Sequence, residues 1–376
     1  MKFASRIGGV GASATFKYSA LAKKEGVVNL TIGRTEFSTP NTIVEAAKKA
    51  LDEGRIHYTP TRGIPELREK ITEKLEKENN IRDINPEKIL VSTGAKQVIF
   101  EAIMSLIGRG DKVGMPDPSW VSYESIVKIA EGDIVWLPLK HEKGFIPDED
   151  FLSALENSDA KLVFINSPNN PTGAVYPEKV IRKVADIAER KDMWIISDEI
   201  YEKIIYEGKH FSAGSIYPKT ITVGGFSKEF SMTGWRLGYA ACPEKEVIDK
   251  MNIIQSQSVS CAVSFVQYAA TLAFTPEVRE ETRIMKETLR KRRDYLARRL
   301  RDMQVLERIP SGAFYIFPNF GEIDDVALTE KLLRRGVGVI PGSAFGSEGT
   351  GCVRISYGAV SQKGMERAAD EIEKWI

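Results

Sequence analysis

Short apolar runs of β-forming residues alternate with helical patterns over the central two-thirds of this 376-residue chain. The predicted strands cover residues 89–91, 112–115, 134–139, 162–165, 194–197, 220–223 and 237–241. Helical patterns between them cover residues 96–107, 120–130, 151–155 and 177–190. Buried strands joined by helical crossovers predict an α/β fold with a doubly wound, mostly parallel, seven-stranded sheet. The last strand follows too closely for a helical crossover, so we expect it to run antiparallel.

A second, smaller α+β domain is predicted from the remaining sequence. It begins with a long, charged amphipathic pattern over residues 276–303. Strands are expected at residues 312–317, 337–340 and 353–356, and helices at residues 325–335 and 361–375. We therefore assign residues 40–275 to a large domain, and residues 1–39 together with 276–376 to the small domain and an N-terminal arm.

Composition and charge argue against several classes of protein. A net charge of +1 gives no electrostatic basis for binding nucleic acid or an anionic membrane. The sequence contains neither a membrane-length apolar run nor an N-terminal secretion signal. Three scattered cysteines (Cys242, Cys261 and Cys352) and three scattered histidines indicate neither a disulfide framework nor a metal site. We expect a soluble cytoplasmic protein without a bound metal.

Unusual residue clusters follow five of the predicted strands at their carboxyl ends. In chain order they read STGAK at 92–96, PDPSW at 116–120, NSPNNPTG at 166–173, DEIY at 198–201 and GGFSK at 224–228. In an open α/β sheet, ligands bind at that edge. An antiparallel last strand would begin at the same edge and bring Arg236 there. Turn chemistry explains each loop separately, but not why one pocket receives an aromatic ring, an acid, a phenol, an amide, a lysine and an arginine.

The most informative segment covers residues 224–240 and reads GGFSKEFSMTGWRLGYA. Its small residues let the backbone approach a ligand closely. A partly desolvated lysine near an arginine, such as Lys228 near Arg236, loses its proton more easily and becomes a nucleophile. The guanidinium fork of Arg236 suits a phosphate. An amine that can form an imine, beside a phosphate clamp, indicates a site for pyridoxal phosphate (PLP). The alternative is a surface lysine and arginine around a glycine-rich turn.

PLP chemistry suggests roles for other residues of this pocket. An acid beside the pyridine nitrogen keeps that nitrogen protonated, and Asp198 is the candidate. Tyr201 and Asn170 would supply a hydroxyl and an amide near the phenolate oxygen. Trp120 is the candidate to stack on the ring. The ordinary structural alternatives are a helix cap for Asp198 and a core aromatic for Tyr201 and Trp120.

The phosphate and the substrate need further partners. Gly94, Ala95 and Lys96 open a helix whose free N–H groups favour an anion. Ser227 would add a hydroxyl to the phosphate. A substrate α-carboxylate needs a bidentate partner, and Arg354, within the apolar run CVRIS, is the candidate. A structural salt bridge is the alternative for Arg354.

Taken together and in this order, the motifs resemble the class I/II PLP-dependent aminotransferases of fold-type I, and are similar to aspartate and aromatic aminotransferases. The resemblance is carried by NNPTG at 169–173, SDEIY at 197–201, the lysine segment, and PGSAFG at 341–346 with Arg354. It implies that Lys228 is the Schiff-base lysine, with Asp198 and Tyr201 as catalytic partners. The residues implied at the substrate are Gly33, Trp120, Asn170 and Arg354.

The resemblance also implies an assembly and a reaction. HYTPTRGIPELR at 57–68 is similar to the family segment whose tyrosine reaches the phosphate of the other subunit's cofactor. Tyr58 is assigned to the cofactor on that basis, which implies a homodimer with shared active sites. The implied reaction moves the α-amino group of an L-amino acid to a 2-oxo acid such as 2-oxoglutarate by a ping-pong mechanism. Aspartate is the favoured donor and aromatic amino acids come next.

This chain departs from the family pattern at three positions. Arg34 follows Gly33 where an acid is common, and Gly224 and Gly225 stand where asparagine and serine are common. Arg34 leads to the hypothesis that it helps bind a distal carboxylate of the substrate. The alternative functions are a PLP-dependent carbon–sulfur β-lyase and a non-catalytic PLP-binding regulator. No basic helix-turn-helix segment precedes the domain, and we expect no helix in about the first 40 residues.

Overall fold

The computed structural model describes residues 3–374. Its helices are α1 (Ser5–Gly8), α2 (Ala14–Leu21), α3 (Asn41–Asp52), α4 (Pro65–Asn79), α5 (Ala95–Leu106), α6 (Ser122–Ile129), α7 (Glu149–Glu156), α8 (Glu178–Arg190), α9 (Lys245–Ser258), α10 (Ser264–Ala270), α11 (Pro276–Asp302), α12 (Asp325–Arg334) and α13 (Gln362–Glu373). Its strands are β1 (Val28–Asn29), β2 (Ile89–Ser92), β3 (Lys112–Asp117), β4 (Asp133–Pro138), β5 (Leu162–Asn166), β6 (Trp194–Asp198), β7 (Thr220–Gly225), β8 (Gly238–Ala241), β9 (Tyr315–Ile316), β10 (Val337–Gly338), β11 (Ile340–Pro341) and β12 (Val353–Ser356).

The central sheet has seven strands in the order β2-β8-β7-β6-β5-β3-β4. Strand β8 is antiparallel to both of its neighbours, β2 and β7, whereas the other pairings are parallel. The predicted mostly parallel, seven-stranded α/β sheet is therefore confirmed, including its antiparallel last strand. Asp198 pairs in register with Asn166 on one side and Val223 on the other, so β5 and β6 end together and β7 continues two residues further.

Both faces of this sheet are buried, because alternate residues of one strand enter different hydrophobic clusters. Val163 and Ile165 of β5 pack with α7 and α8. Leu162 and Phe164 of the same strand pack with α5, α6 and α9. Side chains alternate across a strand, so helices cover the sheet on both sides. This layering leaves the carboxyl edge of the strands free to hold a site.

Two small sheets stand apart from the central one. Strands β11, β12 and β9 form an antiparallel sheet, and β1 pairs with β10 in parallel. The expected strand at 312–317 is wrong in length, because Ala313 has φ +54° and only β9 remains extended and paired. The expected strand at 337–340 divides into β10 and β11, which join different sheets. The expected helix at 361–375 is α13, and residue 375 lies outside the described residues.

A separate hydrophobic cluster holds this second part of the chain together. Leu289 and Leu296 of α11, Leu332 of α12 and Ile372 of α13 are buried in it, and Leu30 joins from the N-terminal segment. The burial of Leu30 in this cluster shows that the N-terminal segment packs against the C-terminal part of the chain. The domain boundaries at residues 40 and 275 stay a prediction.

The expectation of no helix in about the first 40 residues is wrong, because α1 and α2 lie there. Their sequences give no helical apolar repeat, since α1 buries none of its residues and α2 buries Tyr18 alone. No helix within residues 3–374 is both long and apolar enough to cross a membrane.

Candidate active site

Lys228 lies just after β7, at the carboxyl edge of the sheet. Its Nζ donates a hydrogen bond to the carbonyl oxygen of Gly33 at 2.6 Å. The same atom lies 5.8 Å from the centre of the Tyr201 ring and 5.9 Å from that of Phe314. Three of these four residues were predicted at the site from the sequence, and the structure brings them together.

The environment of Lys228 favours its neutral form. Desolvation, followed by the positive charges of Arg354 and Arg236, lowers the pKa of Lys228 to about 8, although Asp198 opposes the shift. A neutral amine is the nucleophilic form of lysine. The predicted link between Arg236 and the reactivity of Lys228 therefore has a physical basis, and Arg354 contributes more.

Asp198 is the last residue of β6 and its carboxyl group is buried. The Tyr123 hydroxyl donates to Oδ2 at 2.6 Å, and the backbone N–H of Ile200 donates to Oδ1 at 3.2 Å. Desolvation raises the pKa of Asp198 to about 6 in spite of these two hydrogen bonds. A cation beside the carboxylate would offset that desolvation. Asp198 is therefore suited to pair with a positively charged ligand atom.

Asn166 connects two of the loops at this edge. Its Nδ2 donates to the carbonyl oxygen of Asp198 at 3.0 Å, and its Oδ1 accepts from the backbone N–H of Asn170 at 2.9 Å. The two carboxyl-end loops of β5 and β6 are thereby held in a fixed relation. Asn170 is buried, and its own Oδ1 faces Arg354.

Arg354, in β12, is a buried cation without a counter-charge. Its Nη1 donates to Asn170 Oδ1 at 3.0 Å and its Nη2 to the carbonyl oxygen of Thr31 at 2.6 Å, while its buried Nε has no partner. The guanidinium lies 4.7 Å from the centre of the Tyr315 ring. Among residues 3–374, no carboxylate pairs with it. A buried guanidinium in this state is stabilised by an anion, which favours the predicted carboxylate site over a structural salt bridge.

Tyr201, whose ring lies near Lys228, contacts Tyr315, whose ring lies near Arg354. Their hydroxyl groups are hydrogen-bonded at 2.7 Å. Desolvation raises the pKa of both, so both phenols stay protonated at neutral pH. A Cβ at Gly33 would lie 2.7 Å from the Tyr315 hydroxyl, so residue 33 has no room for a side chain. Its backbone can therefore approach Lys228.

The opposite end of the site is an anion cradle at the N-terminus of α5. Gly94 precedes this helix with φ +101°, and a Cβ there would lie 2.5 Å from Arg236 Nη2. Arg236 is held by bonds to the carbonyl oxygens of Thr93 at 3.3 Å and Thr233 at 2.9 Å. The N–H groups of Ala95 and Lys96 in the first turn of α5, together with the guanidinium, suit a phosphate.

Lys96 and Trp120 lie next to each other at this end. The Lys96 Nζ is 4.9 Å from the centre of the Trp120 ring. Desolvation and the charge of Arg236 lower the pKa of Lys96. The Trp120 ring also meets Tyr123 edge-on, with centroids 5.3 Å apart. The structure therefore places both predicted residues in one group with the aromatic partner of Asp198.

The remaining predicted residues are placed less tightly. Ser227 is buried directly before Lys228, whereas Tyr58 is 90 % exposed and stands apart from these contacts.

The glycines at positions 224 and 225, where asparagine and serine are common in the family, have a steric explanation. A Cβ at Gly224 would lie 2.2 Å from the Tyr239 ring, and one at Gly225 would lie 2.9 Å from the Ile200 side chain.

Tyr123, Tyr315 and Asn166 were not predicted as site residues, yet they hydrogen-bond to Asp198, Tyr201 and Asn170 respectively. Tyr123 lay three residues after Trp120 in a predicted helix, and Tyr315 lay in a predicted apolar strand. The available sequence signal for the two tyrosines was a phenol within an apolar run, because a buried hydroxyl group needs a hydrogen-bond partner.

The family model "Aminotransferase class I and II" matches residues 25–372 of the chain. The chain belongs to this family. The aspartate/prephenate aminotransferase of Thermus thermophilus is 40 % identical over 96 % of this chain and 95 % of its own. Aromatic-amino-acid aminotransferase 2 of Thermococcus litoralis is 41 % identical over 93 % and 92 %. The structure of the Thermus thermophilus aspartate aminotransferase with maleate covers both chains completely, with 38 % identity and a TM-score of 0.95.

These comparisons confirm the predicted PLP-dependent aminotransferase and its fold. The residues present fit PLP on structural grounds. Lys228 provides an amine of lowered pKa, and Gly94 with Arg236 leaves a cradle that a side chain at residue 94 would fill. Asp198 provides a buried carboxyl group whose pKa is raised by desolvation, and Arg354 provides a buried Nε without a hydrogen-bond partner.

Proposed function

We propose that this aminotransferase takes aspartate as its preferred amino donor, with aromatic amino acids next, and 2-oxoglutarate as acceptor. The main support is the buried, unpaired guanidinium of Arg354, which suits the α-carboxylate shared by amino acids and 2-oxo acids. Relatives named for aspartate and for aromatic substrates are equally similar to this chain. The Thermus structure contains maleate, a dicarboxylate, which favours aspartate.

We assign the chemical roles from the contacts described above. Bound PLP supplies the electron sink that stabilises the charge left when the substrate Cα loses its proton. Lys228 attaches the cofactor and, once displaced by substrate, carries that proton with its amine. Asp198 would keep the ring nitrogen protonated. Tyr201 and Asn170 would supply a hydroxyl and an amide to the phenolate oxygen, and Trp120 would stack on the ring.

The substrate and the phosphate are held at opposite ends of the site. Arg354 binds the α-carboxylate and Gly33 borders the substrate. The phosphate is bound by residues of the α5 cradle and of the lysine segment, namely Gly94, Ala95, Lys96, Ser227 and Arg236. In the first half-reaction the donor leaves its amino group on the enzyme and departs as a 2-oxo acid. In the second, 2-oxoglutarate takes that amino group and departs as glutamate.

Substitution of Arg354 by lysine tests the carboxylate site. Lysine retains one charge but loses the planar fork, so one charge-assisted hydrogen bond is lost. Such a bond contributes about 1.5–3 kcal/mol, so we expect kcat/KM for every amino acid to fall by about 10- to 150-fold, mainly through KM. Steady-state kinetics with aspartate and phenylalanine measure the change. An unchanged KM for both would exclude Arg354 from substrate binding.

Substitution of Arg34 by glutamate tests the distal-carboxylate hypothesis. Arg34 is exposed and follows Gly33, whose carbonyl oxygen bonds Lys228. If Arg34 attracts the second carboxylate of aspartate, the reversed charge repels it. We expect KM for aspartate to rise about tenfold more than KM for phenylalanine. Equal changes for the two substrates would contradict the hypothesis, and Arg34→Gln separates loss of charge from repulsion.

A panel of L-amino acids tests the proposed donor. Each is mixed singly with the holoenzyme, and the bleaching of the cofactor absorbance reports one half-reaction. Aspartate should give the highest second-order rate constant and an aromatic amino acid the next. A faster reaction with another class of amino acid would overturn the donor assignment. Release of pyruvate and ammonia from cystathionine, without amino transfer, would indicate the β-lyase instead.

We further propose a cytoplasmic homodimer in which Tyr58 serves the partner's cofactor phosphate. An aromatic side chain that is 90 % exposed is suited to be covered by a second subunit. The free cysteines Cys242 and Cys352 are buried thiols, which agrees with a reducing compartment. We also propose that residues 40–275 form the large domain, and that residues 1–39 and 276–376 form the small domain and the N-terminal arm. Light scattering of the purified protein measures the assembly, and a monomer would contradict it.

A further inference from the structure

A buried polar network lies next to Asp198 and Tyr201, the acid and the phenol proposed to face the cofactor ring. Asp198 directs its carboxylate to Tyr123, and Tyr201 directs its hydroxyl to Tyr315. Glu199 follows Asp198 and Glu202 follows Tyr201 in the chain, and both glutamate side chains belong to this network. Glu202 N–H donates to the carbonyl oxygen of Glu199 at 2.9 Å, so the two glutamates belong to one turn.

Each oxygen of the buried Glu199 carboxylate receives two hydrogen-bond donors. Oε1 accepts from the hydroxyl groups of Ser197 at 2.8 Å and Ser212 at 2.7 Å. Oε2 accepts from Asn79 Nδ2 at 3.0 Å and contacts His210 Nε2 at 2.8 Å. Because a carboxylate oxygen accepts, His210 Nε2 is assigned as the donor in this contact. The four donors come from β6, from α4 and from the segment after the turn.

Glu202 closes the network. Its Oε2 accepts from the same Asn79 amide at 2.8 Å, and His210 Nε2 lies 3.8 Å from it. Its Oε1 pairs with Lys74, whose Nζ also donates to Asn79 Oδ1 at 2.8 Å. The turn of residues 199–202 is thus fixed to α4 at two points. Glu199 and Glu202 need these partners, because an unpaired buried carboxylate is strongly destabilising.

We propose that Glu199 is a positioning residue for transamination, whose carboxylate holds the turn that carries Asp198 and Tyr201 in its working geometry. The inference rests on the proposed function. Buried ion pairs add little to stability compared with apolar packing, and some serve to specify one conformation. Here the specified segment carries Asp198 and Tyr201, the acid and the phenol that would face the ring nitrogen and the phenolate oxygen of PLP. A shift of about 1 Å at such groups costs on the order of 100-fold in rate.

The test compares Glu199→Gln with a matched control. The glutamine amide places N–H groups against existing donors, so the turn must move. Arg68→Gln is the control, since the buried Arg68 lies in the same helix, α4, pairs with the exposed Glu87 and does not contact Glu199. We expect Glu199→Gln to lower kcat about 100-fold, with KM for the amino acid changed less than about threefold because Arg354 is untouched. Arg68→Gln should retain kcat.

Two further readouts separate positioning from general stability. The pH midpoint of the cofactor absorbance should move by at least about half a unit in Glu199→Gln, since Asp198 shifts relative to the ring. A second pair of variants tests the same contact from the other side. His210→Ala removes the donor and should behave as Glu199→Gln does, whereas His210→Gln keeps a terminal N–H and should recover kcat to within about fivefold of wild type.

If Glu199→Gln does not fold, the His210 pair decides the question. The inference is overturned if the variants lose only thermal stability, as the control does, and keep both kcat and the absorbance midpoint. It is also overturned if His210→Gln is no better than His210→Ala. A wild-type protein without a cofactor absorbance band would overturn the proposed function itself. A normal wild-type band, together with variants whose kcat and absorbance midpoint are unchanged, would overturn only this inference.

Discussion

Replacing Lys228 by alanine is expected to reduce amino transfer at least about 10⁴-fold, because both the covalent attachment and the proton carrier are lost. The environment of this amine favours its reactive, neutral form. At pH 7.5 a pKa of about 8 leaves about a quarter of the amine neutral, against about one part in a thousand at the ordinary value of 10.5. Single-turnover absorbance measurements with aspartate give the rate.

The control for this substitution is Lys203→Ala. Lys203 pairs with Glu78 at 2.5 Å, and the Lys203 side chain is partly exposed. It should retain turnover and the cofactor band, so a loss in Lys228→Ala alone identifies the amine. Turnover by Lys228→Ala within about tenfold of wild type would contradict the assignment.

Replacing Asp198 by asparagine is expected to reduce kcat by about 10³-fold while the protein still binds some cofactor. Asparagine has nearly the same shape but lacks the negative charge that holds a proton on the ring nitrogen. Preorganised electrostatic partners of this kind contribute about 10²- to 10³-fold in rate. Steady-state kinetics and the cofactor content of the purified variant measure the two effects separately.

Tyr123→Phe is the matched control for Asp198. It removes the hydrogen bond to Oδ2 but leaves the carboxylate in place. The hydroxyl lowers the pKa of Asp198, so its removal raises that pKa further. We expect only about a tenfold loss in kcat, since the charge beside the ring nitrogen is retained. Equal losses in the two variants would show that shape, rather than charge, is what Asp198 provides.

Much of the fold and site could be predicted because the signals are local. Apolar strand runs such as 162–165 and glycine-rich or proline-rich loops after them are visible within about ten residues. Ligands bind at the carboxyl edge of such a sheet, and this rule predicted that Asp198, Asn170 and Lys228 lie in one pocket. The short interval before β8 was enough to predict its antiparallel direction.

The parts that were missed depend on contacts between distant residues. Tyr123 is 75 residues from Asp198 in the sequence, and Tyr315 is 114 residues from Tyr201. Glu199 lies 120 residues from Asn79. No local periodicity reports such pairs, because they form only when the sheet and the C-terminal part are assembled. The short helices α1 and α2 were missed because almost nothing in them is buried.

The most direct test of the central claim is to locate the covalent attachment of the cofactor. The holoenzyme is reduced with borohydride and digested, and the pyridoxyl-labelled peptide is identified by mass spectrometry. The account predicts a single label on the Lys228 side chain. A label on another lysine, or no label in a protein that contains PLP, would contradict it.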